Sequence, residues 1–218
     1  MNKTKRVFHN WAWLIFIFYC IVGLIYPSIG IIALVCMLAP VVIAFVRGRM
    51  WCGNFCPRGS FYDNILSRIS WKKEIPQVFK SLWLKTLFLI VLMGAFAIQL
   101  IYAWGSIPAV GMVFVRMILI TTGIAVILGV VFNQRAWCLI CPMGTMAHFV
   151  TKYAAVDSKI KYVTFDKEKC TDCKTCSKVC PIEIDVLSHK EQGKVTNADC
   201  LKCNVCVSKC PKKSINIA

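Results

Sequence analysis

Acidic side chains are scarce in this 218-residue sequence: 10 Asp and Glu stand against 26 Lys and Arg, and none lies in its long apolar stretches. Any basic residue buried in such a stretch therefore lacks an internal counter-ion. No Ser-His-Asp set, P-loop or dinucleotide fingerprint is present, so substrate chemistry belongs to a partner. Only 3 histidines occur, and no Cys-x-x-Cys-His run follows from them, which gives no c-type haem attachment. The formal charge is +16, yet no basic patch interleaved with stacking aromatics accompanies it, and nucleic acid is excluded as a partner.

What is abundant is apolar sequence, 58% of the chain, and cysteine, with 14 residues. The apolar excess is confined to residues 7–150 and forms four stretches: Val7–Tyr26, Ser28–Val46, Leu82–Tyr102 and about Ala109–Phe132. Each approaches the roughly 20 residues that cross a bilayer as a helix. Pro27 and the Trp104–Pro108 segment mark the intervening turns, and Pro40 is expected to kink the second stretch. Lys3, Lys5 and Arg6 precede the first stretch. Arg47, Arg49, Arg58, Arg68, Lys72, Lys73, Lys80 and Lys85 fall between the second and third or at the start of the third, and Arg135, Lys152, Lys159 and Lys161 follow the fourth. The opposite turns carry no Lys or Arg. The positive-inside rule then puts both termini and the central loop in the cytoplasm, in the inner (cytoplasmic) membrane. Trp11, Trp13, Trp83 and Trp104 lie where aromatic belts sit. A cleaved signal peptide is the alternative for the first stretch, but it is long and aromatic, with no clean small-x-small site.

The tail reads Cys170-x2-Cys173-x2-Cys176-x3-Cys180-Pro181 and then Cys200-x2-Cys203-x2-Cys206-x3-Cys210-Pro211. This is the bacterial ferredoxin run, twice, in which the fourth cysteine of each run serves the other cluster. One 4Fe-4S cluster is expected on Cys170, Cys173, Cys176 and Cys210, the second on Cys200, Cys203, Cys206 and Cys180. Zinc sites favour pairs of Cys-x2-Cys rather than runs of four followed by proline. Residues 164–218 hold ten Lys against seven Asp or Glu, so a domain carrying two anionic clusters is near neutral.

Two further motifs follow the second and fourth stretches: Arg49-Met50-Trp51-Cys52-x3-Cys56-Pro57-Arg58-Gly59 and Arg135-Ala136-Trp137-Cys138-x2-Cys141-Pro142-Met143-Gly144. Two spans plus one motif make the repeating unit, so the membrane part reads as a duplicated helical hairpin. Cys52, Cys56, Cys138 and Cys141 are expected to converge on one cytoplasmic-edge site. An iron-sulfur centre, redox-active thiols, another metal and plain packing all remain open there. Arg49, Arg58 and Arg135 border it, with positive-inside anchoring as their simplest role. Arg116 stands inside the fourth stretch, to face a quinone or a partner's carboxylate, or to snorkel. Cys20 and Cys36 read as inert span thiols, His9 and His148 as packing or solvated residues, His189 as a loop residue, and Gln99 as a helix-packing residue. Ser60–Trp71 is expected to lie along the membrane surface.

With these motifs the chain resembles the membrane polyferredoxins of the NapH and NosR type, the NapH type best. The resemblance implies an all-α membrane domain of four transmembrane helices over residues 1–150, a linker over 151–163, and over 164–218 a small α+β two-cluster ferredoxin-like domain with short hairpins and two small helices. Two 4Fe-4S clusters are expected in the tail, a third iron-sulfur centre is one of the options at the membrane edge, and the resemblance adds a quinone. It also implies electron transfer between the quinone pool and a partner oxidoreductase subunit or cytoplasmic electron carrier, as a quinol dehydrogenase-like subunit. Accessory or regulatory work on another metalloenzyme is the alternative. The second motif is one residue shorter than the family's usual Cys-x3-Cys.

Overall fold

The computed structural model describes residues 3–154 and 160–217, with side chains placed from His9. Lys159 and much of the expected linker lie outside the described residues, as do the side chains of Lys3, Lys5 and Arg6.

The chain is mostly helical. α1 (Lys3–Ile25) is followed by a 3-10 turn (Pro27–Ile32) that runs straight into α2 (Ala33–Arg47). Short helices α3 (Met50–Asn54), α4 (Pro57–Phe61) and α5 (Ser67–Ile69) follow, α4 and α5 joined by a π turn at Tyr62–Leu66, and then α6 (Gln77–Lys80). α7 (Leu82–Tyr102) and α8 (Ile107–Val131) form the second long pair, followed by α9 (Trp137–Ile140) and α10 (Pro142–Phe149). Among the described residues, three helices are long and apolar enough to cross a membrane: Pro27–Arg47, Leu82–Tyr102 and Ile107–Val131. α1 carries a shorter apolar run, His9–Ile25.

Local signals explain the boundaries. Ser106 caps α8, its Oγ accepting from Ala109 N at 3.3 Å, with Pro108 in the first turn. Pro27 likewise opens the 3-10 turn, so it begins the second helical segment rather than filling a loop. α2 ends at Gly48, whose positive φ of 58° glycine takes without a Cβ penalty.

The two long pairs meet at the end remote from the cysteine motifs. A Cβ on Gly111 would fall on the Pro27 carbonyl, and one on Gly30 on the Gly111 carbonyl. Backbone therefore packs on backbone, as small residues permit between membrane helices. The sequence Pro-x-x-Gly heads both segments, at Pro27–Gly30 and Pro108–Gly111, so the crossing sits on the internal repeat.

Ser60–Trp71 does not lie as a strip on the surface. Tyr62 and Leu66 are buried at 1% exposure, α4 packs along α1, and a Cβ on Gly129 of α8 would meet the Leu66 side chain. Tyr62 and Leu66 thus fill the bundle end, while Ile69 and Trp71 face outward.

The tail forms a small α+β head. β1 (Val163–Phe165) pairs antiparallel with β2 (Ile215–Ile217), with Val163 opposite Ile217. The strands come from opposite ends of the head, so this pair is not a hairpin. α11 (Thr175–Lys178) and α12 (Val205–Lys209) pack together, each entered through a left-handed residue, Lys174 and Asn204. The head's core joins Val163, Ile182, Ile184, Val186, Val195, Leu201 and Ile215, and it is continuous with Ala136 and Leu139 of the second membrane motif.

Candidate redox sites at the membrane edge and in the head

The two cysteine runs of the head wrap two concavities. One is lined by Cys170, Cys173, Cys176 and Cys210, with Leu187 and Ile215. The other is lined by Cys180, Cys200, Cys203 and Cys206, with Val163, Ile182, Ile184 and Val195. The fourth cysteine of each run stands with the first three of the other run. All fourteen cysteines are free thiols. Among the described residues no three His, Cys, Asp or Glu side chains converge closely enough for a single ion. Four thiols spread round an apolar hollow suit a multi-atom cluster better than zinc. Burial pushes the Cys203 and Cys206 thiols up to about 12, so an occupant has to displace their protons. When bound, 4Fe-4S clusters supply one-electron transfer; the chain supplies thiolates, an apolar wall and spacing.

At the membrane edge the two motifs interlock through exchanged arginines. Arg49 of the first motif donates from Nη2 to the Cys138 carbonyl of the second at 2.6 Å. Arg135 of the second donates from Nη1 to the Cys52 carbonyl of the first at 2.9 Å. Each guanidinium lies over the partner motif's glycine: a Cβ on Gly144 would meet Arg49 Nη2, and one on Gly59 would meet Arg135 Nη1. That is why glycine ends both motifs. Both arginines are 1% exposed. They are buried pins between the halves and not the membrane-surface anchors that their place beside a span suggests.

Each pin has an acid. Asp63 takes Arg135 in a bidentate pair, 2.8 Å from Nε and 2.6 Å from Nη2, and His9 at 2.9 Å. Burial opposes the Asp63 charge, but Arg135 and His9 hold its carboxyl well below the usual range. Four residues after the second motif's glycine the equivalent of Asp63 is His148, so the second half has no acid of its own. Asp199 of the head supplies it. Its carboxylate meets Arg49 at 2.6 Å, Lys85 at 2.6 Å and His148 at 2.9 Å. Burial opposes this charge too, and the His148 hydrogen bond, with the Arg49 and Lys85 charges, holds it far down. Lys85, read from the sequence as flanking charge, is 2% exposed and part of this lock. His9 and His148 belong to the two locks and are not solvated.

The same contact seats the head. Gly53 packs against the Leu201 backbone so closely that a Cβ would fall on its carbonyl oxygen. Asn54 donates to the Lys202 carbonyl at 3.1 Å, and Lys202 Nζ donates to the Arg47 carbonyl at 3.1 Å. Burial pulls the Lys202 ammonium down to about 8. Lys80 pairs with Glu183 at 3.1 Å, and the Ile75 amide donates to the same carboxylate. The Cys200 run is thereby clamped onto the first membrane motif.

Cys52, Cys56, Cys138 and Cys141 are brought to one edge, close enough that charge on Cys138 bears on both Cys52 and Cys56. Burial pushes Cys52 up to about 11 and Cys56 up to about 12. Around them Trp51 Nε1, Trp137 Nε1, Arg49 Nε and Arg58 Nη2 are buried donors with no partner among the described residues. Orphaned donors with no orphaned acid beside them fit an acceptor-rich anionic group held by thiolates. Arg58 stacks over the Trp137 ring at 5.2 Å and bonds Tyr62 Oη at 2.6 Å. Elsewhere, Arg116 and Cys36 point outward from α8 and α2, Cys20 and Gln99 are half-buried, and His189 bonds Gln192 at 3.3 Å. None of these joins the sites.

Sequence reasoning missed Asp63, Asp199, Lys85 and the two histidines as partners. The available signal was the mismatch at equivalent positions, Asp63 against His148.

A family model described as "4Fe-4S binding domain" matches residues 29–76 and 113–161, one copy on each half of the membrane part. A model described as "4Fe-4S dicluster domain" matches residues 162–211. The ferredoxin-type protein NapH of Haemophilus influenzae is 26% identical over 185 residues, 78% of this chain and 62% of that protein. The putative electron transport protein YccM of Escherichia coli is 26% identical over 208 residues, 86% of this chain and 56% of that protein. An uncharacterized protein of Methanocaldococcus jannaschii is 21% identical over 182 residues, 82% of this chain and 68% of that protein. The chain thus spans under two thirds of the length of NapH and YccM. No solved structure matches it significantly.

Proposed function

We propose, for a chain that belongs with the NapH- and YccM-like membrane polyferredoxins and is an iron-sulfur electron-transport protein, that it conducts single electrons between the quinone pool and a partner oxidoreductase. Four spans, α1 included, form two repeated hairpins, with both termini and the head on the cytoplasmic side. Cys170, Cys173, Cys176 and Cys210 hold one 4Fe-4S cluster and Cys200, Cys203, Cys206 and Cys180 the other. Cys52, Cys56, Cys138 and Cys141 hold a third redox centre between bilayer and head. The quinone link rests on the resemblance stated with the sequence.

The observation that carries this reading is the seating of the Cys200 run on the Cys52 motif through Gly53, Asn54 and Asp199. It stacks the three cysteine sets in order: membrane edge, then the Cys200 site, then the Cys170 site. In this order the chain's residues do what a relay needs. They fix spacing, keep the inner sites apolar, and balance the buried charge with arginine pins.

The test is quinol oxidation by the purified full-length protein. A menaquinol analogue added anaerobically is expected to produce the EPR signal of reduced clusters. Intact clusters with no response to any quinol would overturn the quinone link and leave the accessory or redox-sensing role.

A further inference from the structure

The two halves of the head are repeats set 30 residues apart, Cys170 to Cys200, but they have diverged in opposite directions. In the membrane-facing run, Leu201 is buried and Lys202 is tied to the Arg47 carbonyl. The equivalent positions of the other run are Thr171 and Asp172, both exposed. Val205 answers to Thr175. After the fourth cysteine the divergence is sharper. Ile182 is 2% exposed and Glu183 is bound to Lys80 and the Ile75 amide, whereas their equivalents Lys212 and Lys213 are exposed.

The Cys170 concavity is therefore rimmed by cations. Its lining contains Lys174 and Lys212 and no acid. Among the described residues no carboxylate pairs with Lys174, Lys212 or Lys213; Asp172 is held by Lys190 at 2.7 Å and Asp166 by Lys169 at 2.5 Å. Lys174 and Lys213 hold φ of 56° and 51°, a conformation that asparagine or glycine adopts at lower cost, and at the equivalent of Lys174 the other run indeed has asparagine, Asn204. Among the eight head cysteines only Cys173 is exposed. The most accessible sulfur thus lies beside an unneutralised basic rim.

We propose that this rim, Lys174, Lys212 and Lys213 around Cys173, is the docking surface for an acidic electron-carrier protein. The proposal rests on the function proposed above and deepens it by assigning the terminal contact. One electron leaves or enters the carrier and one is gained or lost at the Cys170 site; no proton or further reactant is needed. Complementary charge steers such an encounter and makes it depend on salt. A protein carrier is favoured over an anionic lipid surface because the rim frames the accessible cysteine edge, the place where a redox partner needs short approach and a lipid does not.

The test uses the full-length protein and oxidised flavodoxin, an acidic flavoprotein, as probe. Binding at low ionic strength is measured by calorimetry, with iron and sulfide determined on the same samples. Lys174→Glu/Lys212→Glu/Lys213→Glu is expected to weaken binding at least about tenfold and to flatten its salt dependence, with cluster content unchanged. The milder Lys174→Gln/Lys212→Gln/Lys213→Gln variant, which keeps fold and bulk, should lie between. Stopped-flow electron exchange should follow the same order. Cluster-loaded variants that bind flavodoxin as the parent does would overturn the docking surface. So would a parent chain that ignores flavodoxin but loses binding to phosphatidylglycerol vesicles on charge reversal. A cluster-free parent would instead sink the functional reading itself.

Discussion

Asp199→Ala is expected to detach the head from the membrane part. The substitution strands Arg49 and Lys85, exposed at 1% and 2% respectively, without their shared counter-ion. Removing one partner of a buried ion pair costs about 3–5 kcal/mol, since the remaining charge is left desolvated and uncompensated. Here two such cations are left, and His148 loses its bond to the same carboxylate. The head has its own core and its own cysteine sets, so iron content should persist while limited proteolysis separates head from membrane part more readily. Quinol-driven reduction of the head clusters should fall by at least about tenfold, because small displacements between centres slow transfer steeply. Asp199→Asn keeps hydrogen-bonding capacity without the charge and should be intermediate. A variant as protease-resistant and as fast as the parent would show that the lock does not hold the head.

Gly53→Ala tests the same seat by shape rather than charge. The added Cβ would clash with the Leu201 carbonyl oxygen, and backbone cannot rotate away as a flexible side chain can. Overpacking of this kind costs about 1–3 kcal/mol, and here the strain falls on the contact between the Cys52 motif and the Cys200 run. Loss of head-to-membrane electron transfer with a correctly inserted membrane part is the expected result. Gly94→Ala is the matched control, since nothing lies within 4 Å of a Cβ there and alanine favours a helix. If both substitutions behave alike, the close approach at Gly53 is not what positions the head.

The readable part of the architecture was what is local or repeated. Leu82–Tyr102 is one long, predominantly apolar run, and the helix has those same bounds. The eight tail cysteines announce their grouping by spacing, and the structure brings the fourth of each run to the opposite concavity. The two Arg-x-Trp-Cys motifs were visible as a repeat. Their arginines were not legible, because a basic residue next to a span looks the same whether it meets headgroups or a carbonyl from the other half. Arg49 and its acid are 150 residues apart, and Arg135 and Asp63 are 72 apart; such pairings emerge only when the halves are folded together. Lys85 misled for the same reason. Ser60–Trp71 alternates enough to pass for a surface helix, and only the close contact of Leu66 with Gly129 of α8 shows where that side chain goes.

The division of labour between the two halves follows from one substitution in the repeat. Asp63 neutralises Arg135 within the membrane part, while His148 at the matching position leaves Arg49 dependent on Asp199. The head docks where the duplicated domain lacks an acid, and this turns a symmetric pair of hairpins into a directed stack of cysteine sites. The same asymmetry leaves the other face of the head, with Lys174, Lys212 and Lys213, exposed.

The most direct measurement is the iron, acid-labile sulfide and EPR of the anaerobically purified full-length chain, beside its Cys210→Ser variant. The parent should carry at least about eight iron and eight sulfide, as two 4Fe-4S centres require, and the variant should lose the cluster of Cys170, Cys173 and Cys176 while keeping that of Cys200, Cys203 and Cys206. Zinc in place of iron, bridged sulfurs in the head, or loss of the Cys200-set signal instead would contradict the account.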